Sequence, residues 1–284
     1  MLALSKRGIQ ELSRTVSKWR NWPACANPSC KGNALKQAVA KRHFGVSVAD
    51  DWFCSPDCFE HGARQKLWEL FSARHHQDRS PALRMPLGLL LVSRGVMTGD
   101  QLKASLEKQR AAGGNIGEIV QDMGFATEHQ VTAAVAAQWG CPVFALGDRL
   151  PPVQVRIPRR LLQHYGMLPV HYSDIGRRLM VGFVTRVQHH VMYTIEQIAA
   201  CKVTGCFIAA SDYQRGLQAF NSTSPENEIV FDRANSTLEI IRMIRSYVNQ
   251  TGATQARFGM CRDYLWVRVV GRHEIDLLFR LEES

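Results

Sequence analysis

An internal repeat constrains this chain more than any other feature. One copy reads Leu87-Gly88-x-x-Leu91, Gly95-Val96-x-Thr98, Gln101-Leu102, Leu106 and Gln109. The other reads Ile116-Gly117-x-x-Val120, Gly124-Phe125-x-Thr127, Gln130-Val131, Val135 and Gln138, each position offset by 29 residues. Agreement at so many spaced positions marks a duplicated supersecondary unit, and a unit of this size buries its apolar face only by packing on its neighbour. In each copy the first apolar cluster makes a short helix that Gly95 or Gly124 ends as a C′ glycine. Thr98 with Gln101, and Thr127 with Gln130, then spell capping boxes for a second helix. Asn115 is placed to cap the third of the four helices. The expectation is two hairpin-like helix pairs over residues 82–140.

Gly88 and Gly117 allow two readings. They let helices approach closely, or they expose backbone N–H groups to a flat or anionic ligand.

Upstream lies a second pattern. Cys25 and Cys30 form C-x4-C, and Cys54 and Cys58 form C-x3-C after 23 intervening residues. Prolines 23, 28 and 56 sit where tight turns form. Two such knuckles close a tetrahedral site with no open position, which suits structural Zn2+. Trp22, Trp52, Phe53 and Phe59 would supply a small core around it. The other cysteines, 141, 201, 206 and 261, lie among apolar neighbours and read as reduced core residues.

Formal charge is +10, concentrated in residues 1–80 (13 Lys/Arg against 7 Asp/Glu) and 141–220 (9 against 4). Such an excess favours anionic partners or simply a soluble basic surface. Residues 4–20 fit a basic amphipathic helix, and Lys31, Lys36, Lys41 and Arg42 make nucleic acid a candidate partner of the N-terminal unit. The expected class is α+β multidomain: a four-cysteine zinc-knuckle unit (1–80), the duplicated four-helix unit (82–140), a small α/β unit (141–220) and a C-terminal α/β fragment (228–284). Residues 64–76 read as a helix, and residues 78–81 as its unit's end. In the third unit a short strand at 141–144, a helix opening at Pro158, strands at 167–172, 179–184 and 203–209, and helices at 190–199 and from Ser211 to Phe220 are expected. In the fourth, Leu238, Ile241, Ile244 and Val248 mark one helix face, followed by strands at 264–270 and 275–281. Residues 221–227 read as a linker.

The repeat resembles the N-terminal domain of type II secretion and type IV pilus assembly ATPases (GspE and PilB-like), also called MshEN. That family's pattern is an Arg-Leu-Gly opening, a glycine eight positions after the leucine, then Leu, Leu and Gln, in two 24-residue copies separated by five residues. Here the copies are residues 86–109 and 115–138. The resemblance implies cyclic di-GMP as a candidate ligand, with Leu87, Gly88, Leu91, Gly95, Ile116, Gly117, Val120 and Gly124 as scaffold. The family's opening arginines are replaced by Pro86 and Asn115, which removes two planar donors. Arg84 and Arg94 are the nearby basic candidates. A fainter likeness continues to the C-terminus, where Arg268 and Gly271 match an Arg-x-Arg-x-Asp-Gly stretch and the aspartate does not.

No G-x-x-x-x-G-K-[ST], G-x-S-x-G or H-E-x-x-H occurs, and the sequence stops before an ATPase core would begin. Histidines 164, 171, 189 and 190 have no companion carboxylate motif and read as surface or capping residues. No apolar run is long enough to span a membrane, and the N-terminus lacks a signal-peptide core. The expectation is a cytoplasmic, non-enzymatic protein, peripheral at most to the inner membrane. Its partner would be an assembly ATPase, an inner-membrane platform protein or a signalling protein. A cyclic-dinucleotide receptor and a zinc-dependent nucleic-acid binder are the alternatives.

Overall fold

The computed structural model describes residues 24–32, 37, 39–40, 45–74, 84–152, 154–223, 227–233 and 236–281. The expected helix at 4–20, Trp22, Pro23, Lys36, Lys41, Arg42 and residues 78–81 lie outside them. Where the sequence suggests four units, the structure divides into two: residues 1–73 with 229–258 and 264–284, and residues 74–228 with 259–263.

The first unit is built on a six-stranded sheet whose strands lie, edge to edge, in the order Asp51–Phe53, Val46–Val48, Gln255–Met260, Tyr264–Val270, Glu274–Arg280 and Glu228–Phe231. A short hairpin, β1 (Val46–Val48) and β2 (Asp51–Phe53), leads into α1 (Pro56–Arg74). The helix starts eight residues before the expected position 64, because Ser55 accepts the Cys58 N–H on its hydroxyl and the Phe59 N–H on its carbonyl. Phe53 packs against Gly62 on α1, where a Cβ would collide with its ring. The remaining elements of this unit come from the other end of the chain. They are β6 (Glu228–Phe231), α9 (Thr237–Thr251), β7 (Gln255–Met260), β8 (Tyr264–Val270) and β9 (Glu274–Arg280).

β1 runs parallel to β7, with Ser47 opposite Gln255 and Val48 opposite Ala256. That pairing explains why the knuckle region and the C-terminal fragment are not separate bodies. Non-local strand pairing leaves no local signal in sequence.

β8 is buried along six of its seven residues. It lies in the middle of the sheet with both faces covered, so it reads as an apolar run and only partly alternates. Arg268 faces Asp276 directly across the β8–β9 ladder. Its Nε and Nη2 donate to the two carboxylate oxygens at 2.8 and 2.9 Å, and Trp266 Nε1 adds a third donor at 2.7 Å. Ile240, Ile241, Ile244 and Val248 form the buried face of α9, while Leu238, expected there, is exposed.

The second unit holds the repeat and a three-stranded sheet. The repeat forms α2 (Leu87–Ser93), α3 (Gly99–Ala112), α4 (Ile116–Asp122) and α5 (Glu128–Trp139). Both capping boxes are present, Asn115 caps α4, and Gly95 and Gly124 take positive φ of 69° and 70°. The copies are not two independent hairpins. α2 packs chiefly on α5, and α3 on α4, so each copy's short helix is buried against the other copy's long one.

Downstream are α6 (Arg159–Tyr165), β3 (Met167–Ser173), β4 (Arg178–Phe183), α7 (His189–Ala199), β5 (Lys202–Phe207) and α8 (Ala210–Thr223). β3 and β4 are antiparallel, and α7 crosses over to β5, which is parallel to β4. The strand expected at 141–144 reduces to one bridge, Val143 to Phe207. The expected linker at 221–227 is helical up to Thr223. Ser211 lies inside α8 rather than capping it. Its N–H and hydroxyl both donate to Glu128 at the start of α5, at 2.8 and 2.6 Å.

Candidate functional site

The four N-terminal cysteines converge. All four Sγ atoms lie within 4.8 Å of one another. Cys30 and Cys54 approach to 3.4 Å and Cys54 and Cys58 to 3.9 Å. These distances are far beyond a disulfide bond, and all four are free thiols. A tetrahedral ion with metal–sulfur bonds of about 2.3 Å spaces its sulfurs about 3.8 Å apart, so the donor set fits a thiolate-bound metal.

Each knuckle is fixed locally. In the first, Cys30 N–H donates to the Asn27 carbonyl, and Ala26 N–H donates to Trp52 on β2. In the second, Cys54 follows β2 directly and Cys58 lies in the first turn of α1. The Gly32 N–H on Cys30 Sγ draws that thiol down to about 7. Burial pushes the Cys25 and Cys54 thiols up. Burial works against charge here, which is the condition a bound divalent cation relieves. Near this centre, Arg245 of α9 donates to Glu60 at 2.8 Å and Asp57 at 3.0 Å, tying α9 to the start of α1.

The repeat residues lie elsewhere, in the second unit. Gly88 and Gly117 are both buried. A Cβ on Gly88 would collide with Leu102, and one on Gly117 would meet Val131 at 3.2 Å and Leu87 at 3.5 Å. The Gly117 N–H is already taken by the Asn115 side chain at 3.1 Å. Close helix packing therefore accounts for both glycines. Leu91 and Val120 are fully buried, and Leu87 and Ile116 are half-buried.

Arg84 lies over the Trp139 indole, 3.6 Å from the ring centroid. Beside it, Gln138 Nε2 donates to the Met85 carbonyl at 2.6 Å. Arg94 is exposed and donates to the Ala133 carbonyl at 3.4 Å. The Arg94 contact joins one copy to the other, and the Arg84 and Met85 contacts join the residues just before the first copy to the end of α5. The exposed apolar groups at the first copy are Met85, Leu89 and Leu106.

Sequence reasoning missed a polar cluster in the same unit. His164 Nε2 pairs with Asp263 at 2.8 Å, and Tyr165 hydroxyl donates to the same carboxylate at 3.3 Å. His190 stands edge-on to Tyr165, its buried Nε2 has no hydrogen-bond partner among the described residues, and burial lowers its pKa to about 4. No spacing rule links residues 98 or 99 apart, so only the fold reveals this group. An open groove of about 380 Å³ between Arg177, Tyr193, Glu196 and Lys202 includes none of the expected site residues.

No family model matches the chain. It is 24% identical over 119 residues to the type IV pilus assembly ATPase PilB of Thermus thermophilus, a stretch that is 41% of this chain. The match spans only 13% of that relative's length. Among solved structures, MshE with cdg aligns over 48% of this chain and 98% of its own at 19% identity, with a TM-score of 0.37. The N-terminal domain of XpsE aligns over 47% and 92% at 16% identity, also at 0.37. Part of this chain is thus similar to part of a pilus assembly ATPase.

Proposed function

We propose that this chain is a non-catalytic adaptor or regulatory protein. The repeat docks on a protein partner of a secretion or pilus machine: an assembly ATPase, an inner-membrane platform or a signalling protein. The observation that carries the reading is the fate of the ligand-facing positions. Pro86 and Asn115 stand where the resemblance expects arginines, and Arg84 is laid against Trp139. Gly88 and Gly117 are filled from within by Leu102 and Val131. At the first copy three large apolar side chains, Met85, Leu89 and Leu106, are exposed among charged residues such as Arg94 and Lys103. Among the described residues no helix is long and apolar enough to cross a membrane. The place of action we propose is the cytoplasm, at the inner membrane through the partner.

Cys25, Cys30, Cys54 and Cys58 would hold structural Zn2+. Four thiolates leave no open position for substrate or water, so the ion contributes folding free energy rather than chemistry.

The test is calorimetric titration of the whole protein with cyclic di-GMP, using GTP and cyclic di-AMP as controls, beside capture assays with the assembly ATPase and the platform protein. Partner capture without nucleotide heat is expected. Selective, saturable cyclic di-GMP binding would replace the adaptor reading with that of a second-messenger receptor.

A further inference from the structure

One side chain spans the two cysteine knuckles. Asn27 lies between Cys25 and Cys30, yet its amide Nδ2 donates to Cys58 Sγ, 31 residues away, at 3.3 Å. Its other side-chain atom is also engaged. Oδ1 accepts the Ser29 N–H at 3.0 Å, and the Asn27 carbonyl accepts the Cys30 N–H at 3.0 Å. These contacts determine which way round the amide sits. Flipping it would place an N–H2 against the Ser29 N–H and an oxygen against the sulfur, losing both bonds.

We propose that Asn27 is a positioning residue for the metal centre, an amide donor that holds Cys58 in its ligating orientation and disperses its charge. This rests on the reading that the four cysteines bind a metal. Four thiolates around a divalent ion carry a net charge of about −2, and the outer donors share that charge and orient the lone pairs. Cys30 receives its donor from the Gly32 backbone. Among the described residues, Cys58 Sγ takes its N–H donor from a side chain of the opposite knuckle, while its own N–H goes to the Ser55 hydroxyl. Asn27 therefore acts as a latch. It lets the C-x4-C turn adopt its shape and, through the same residue, senses whether the second knuckle is in place.

Two substitutions separate these roles. N27D keeps the acceptor for Ser29 and hence the turn, but faces Cys58 Sγ with a carboxylate oxygen in place of the donor. N27A loses both. The full chain is loaded with Zn2+ at neutral pH, affinity is read by competition with a chromogenic chelator, and the thiolate-to-metal charge-transfer band is read on Co2+-substituted protein. If the amide acts on the sulfur, N27D weakens zinc at least about tenfold, as far as N27A or further, and its cobalt band shifts. If Asn27 only shapes the turn, N27D stays within about tenfold of wild type with an unshifted band, which overturns the proposal and leaves the metal reading intact. A wild-type chain that takes up neither ion overturns both.

Discussion

Arg84 lies over Trp139, with its guanidinium carbon 3.6 Å from the ring centroid. The arginine precedes the first repeat copy and the tryptophan ends α5 of the second, so the stack closes the duplicated unit on itself. A cation over an indole at a half-buried site contributes about 1 kcal/mol. R84A should therefore lower the denaturation midpoint by an amount equivalent to about 1 kcal/mol. R84K should recover only part of it, because an ammonium lacks the planar face. An unchanged R84A midpoint would show that the stack contributes nothing to stability.

The two repeat glycines should not respond equally to a methyl group. At Gly88 the added carbon runs into Leu102, a buried side chain with little room to turn. Overpacking of that kind costs about 1–3 kcal/mol. At Gly117 the neighbours stand at 3.2 Å and beyond, and alanine's better helix propensity, about 1 kcal/mol, offsets the crowding. Thermal melts should place G88A clearly below G117A, with G117A near wild type. The reverse order would contradict the packing account of these glycines.

Metal loading should govern the first unit. Purified chain is expected to carry one zinc, to lose it with C54S, and to melt at lower temperature after chelation, since site formation and folding share one free energy. Elemental analysis with paired melts checks this. A wild type that is metal-free and insensitive to chelator would sink the knuckle reading.

Arg268 and Asp276 form a bidentate pair that is nearly inaccessible to solvent. Removing one partner strands the other charge inside the sheet, at about 3–5 kcal/mol. R268A should therefore be severely destabilised in urea. R268M with D276L should be closer to wild type, since it leaves no buried charge behind and orphans only the neutral Trp266 N–H. A double variant as unstable as R268A would show that the pair itself, rather than the orphaned charge, dominates.

His190 gives the second unit an acid limit. Burial holds its folded pKa near 4, below the ordinary value of 6.5, so the folded state keeps it neutral. Below about pH 6.5 the unfolded chain takes up the proton first. Stability is thus complete above about 6.5 and falls progressively as the pH drops toward 4, by at most about 3 kcal/mol. H190Q removes this dependence. Comparing the two proteins' midpoints between about pH 7 and 4 isolates it from acid effects on the thiolates, which both share. Parallel curves would rule His190 out as the cause.

Much of the second unit was legible in sequence because its signals are local. Thr98 with Gln101, Thr127 with Gln130, the C′ glycines 95 and 124 and Asn115 each act within one turn of the residue that carries them. The cysteine pairs were legible too, since two thiolates separated by three or four residues already lie on one turn. β6 and β7 went unread: β6 has four residues, and the alternation of Ala256, Phe258 and Met260 in β7 rests on only three apolar positions. Sequence expected two hairpins in the repeat, but helix periodicity shows only that a face is apolar, not which neighbour covers it. Packing paired α2 with α5.

The sequence by itself determined the duplicated helices, their caps and the set of four cysteines, all consequences of backbone and side-chain chemistry within a few residues. Only the tertiary structure decided that β1 joins β7 from the far end of the chain, that Leu102 fills the space at Gly88, that Arg84 rests on Trp139 and that Asn27 reaches Cys58. Those contacts depend on chain segments brought together by burial, and burial is non-directional. It leaves in the sequence a record of what must be covered, and none of what will cover it.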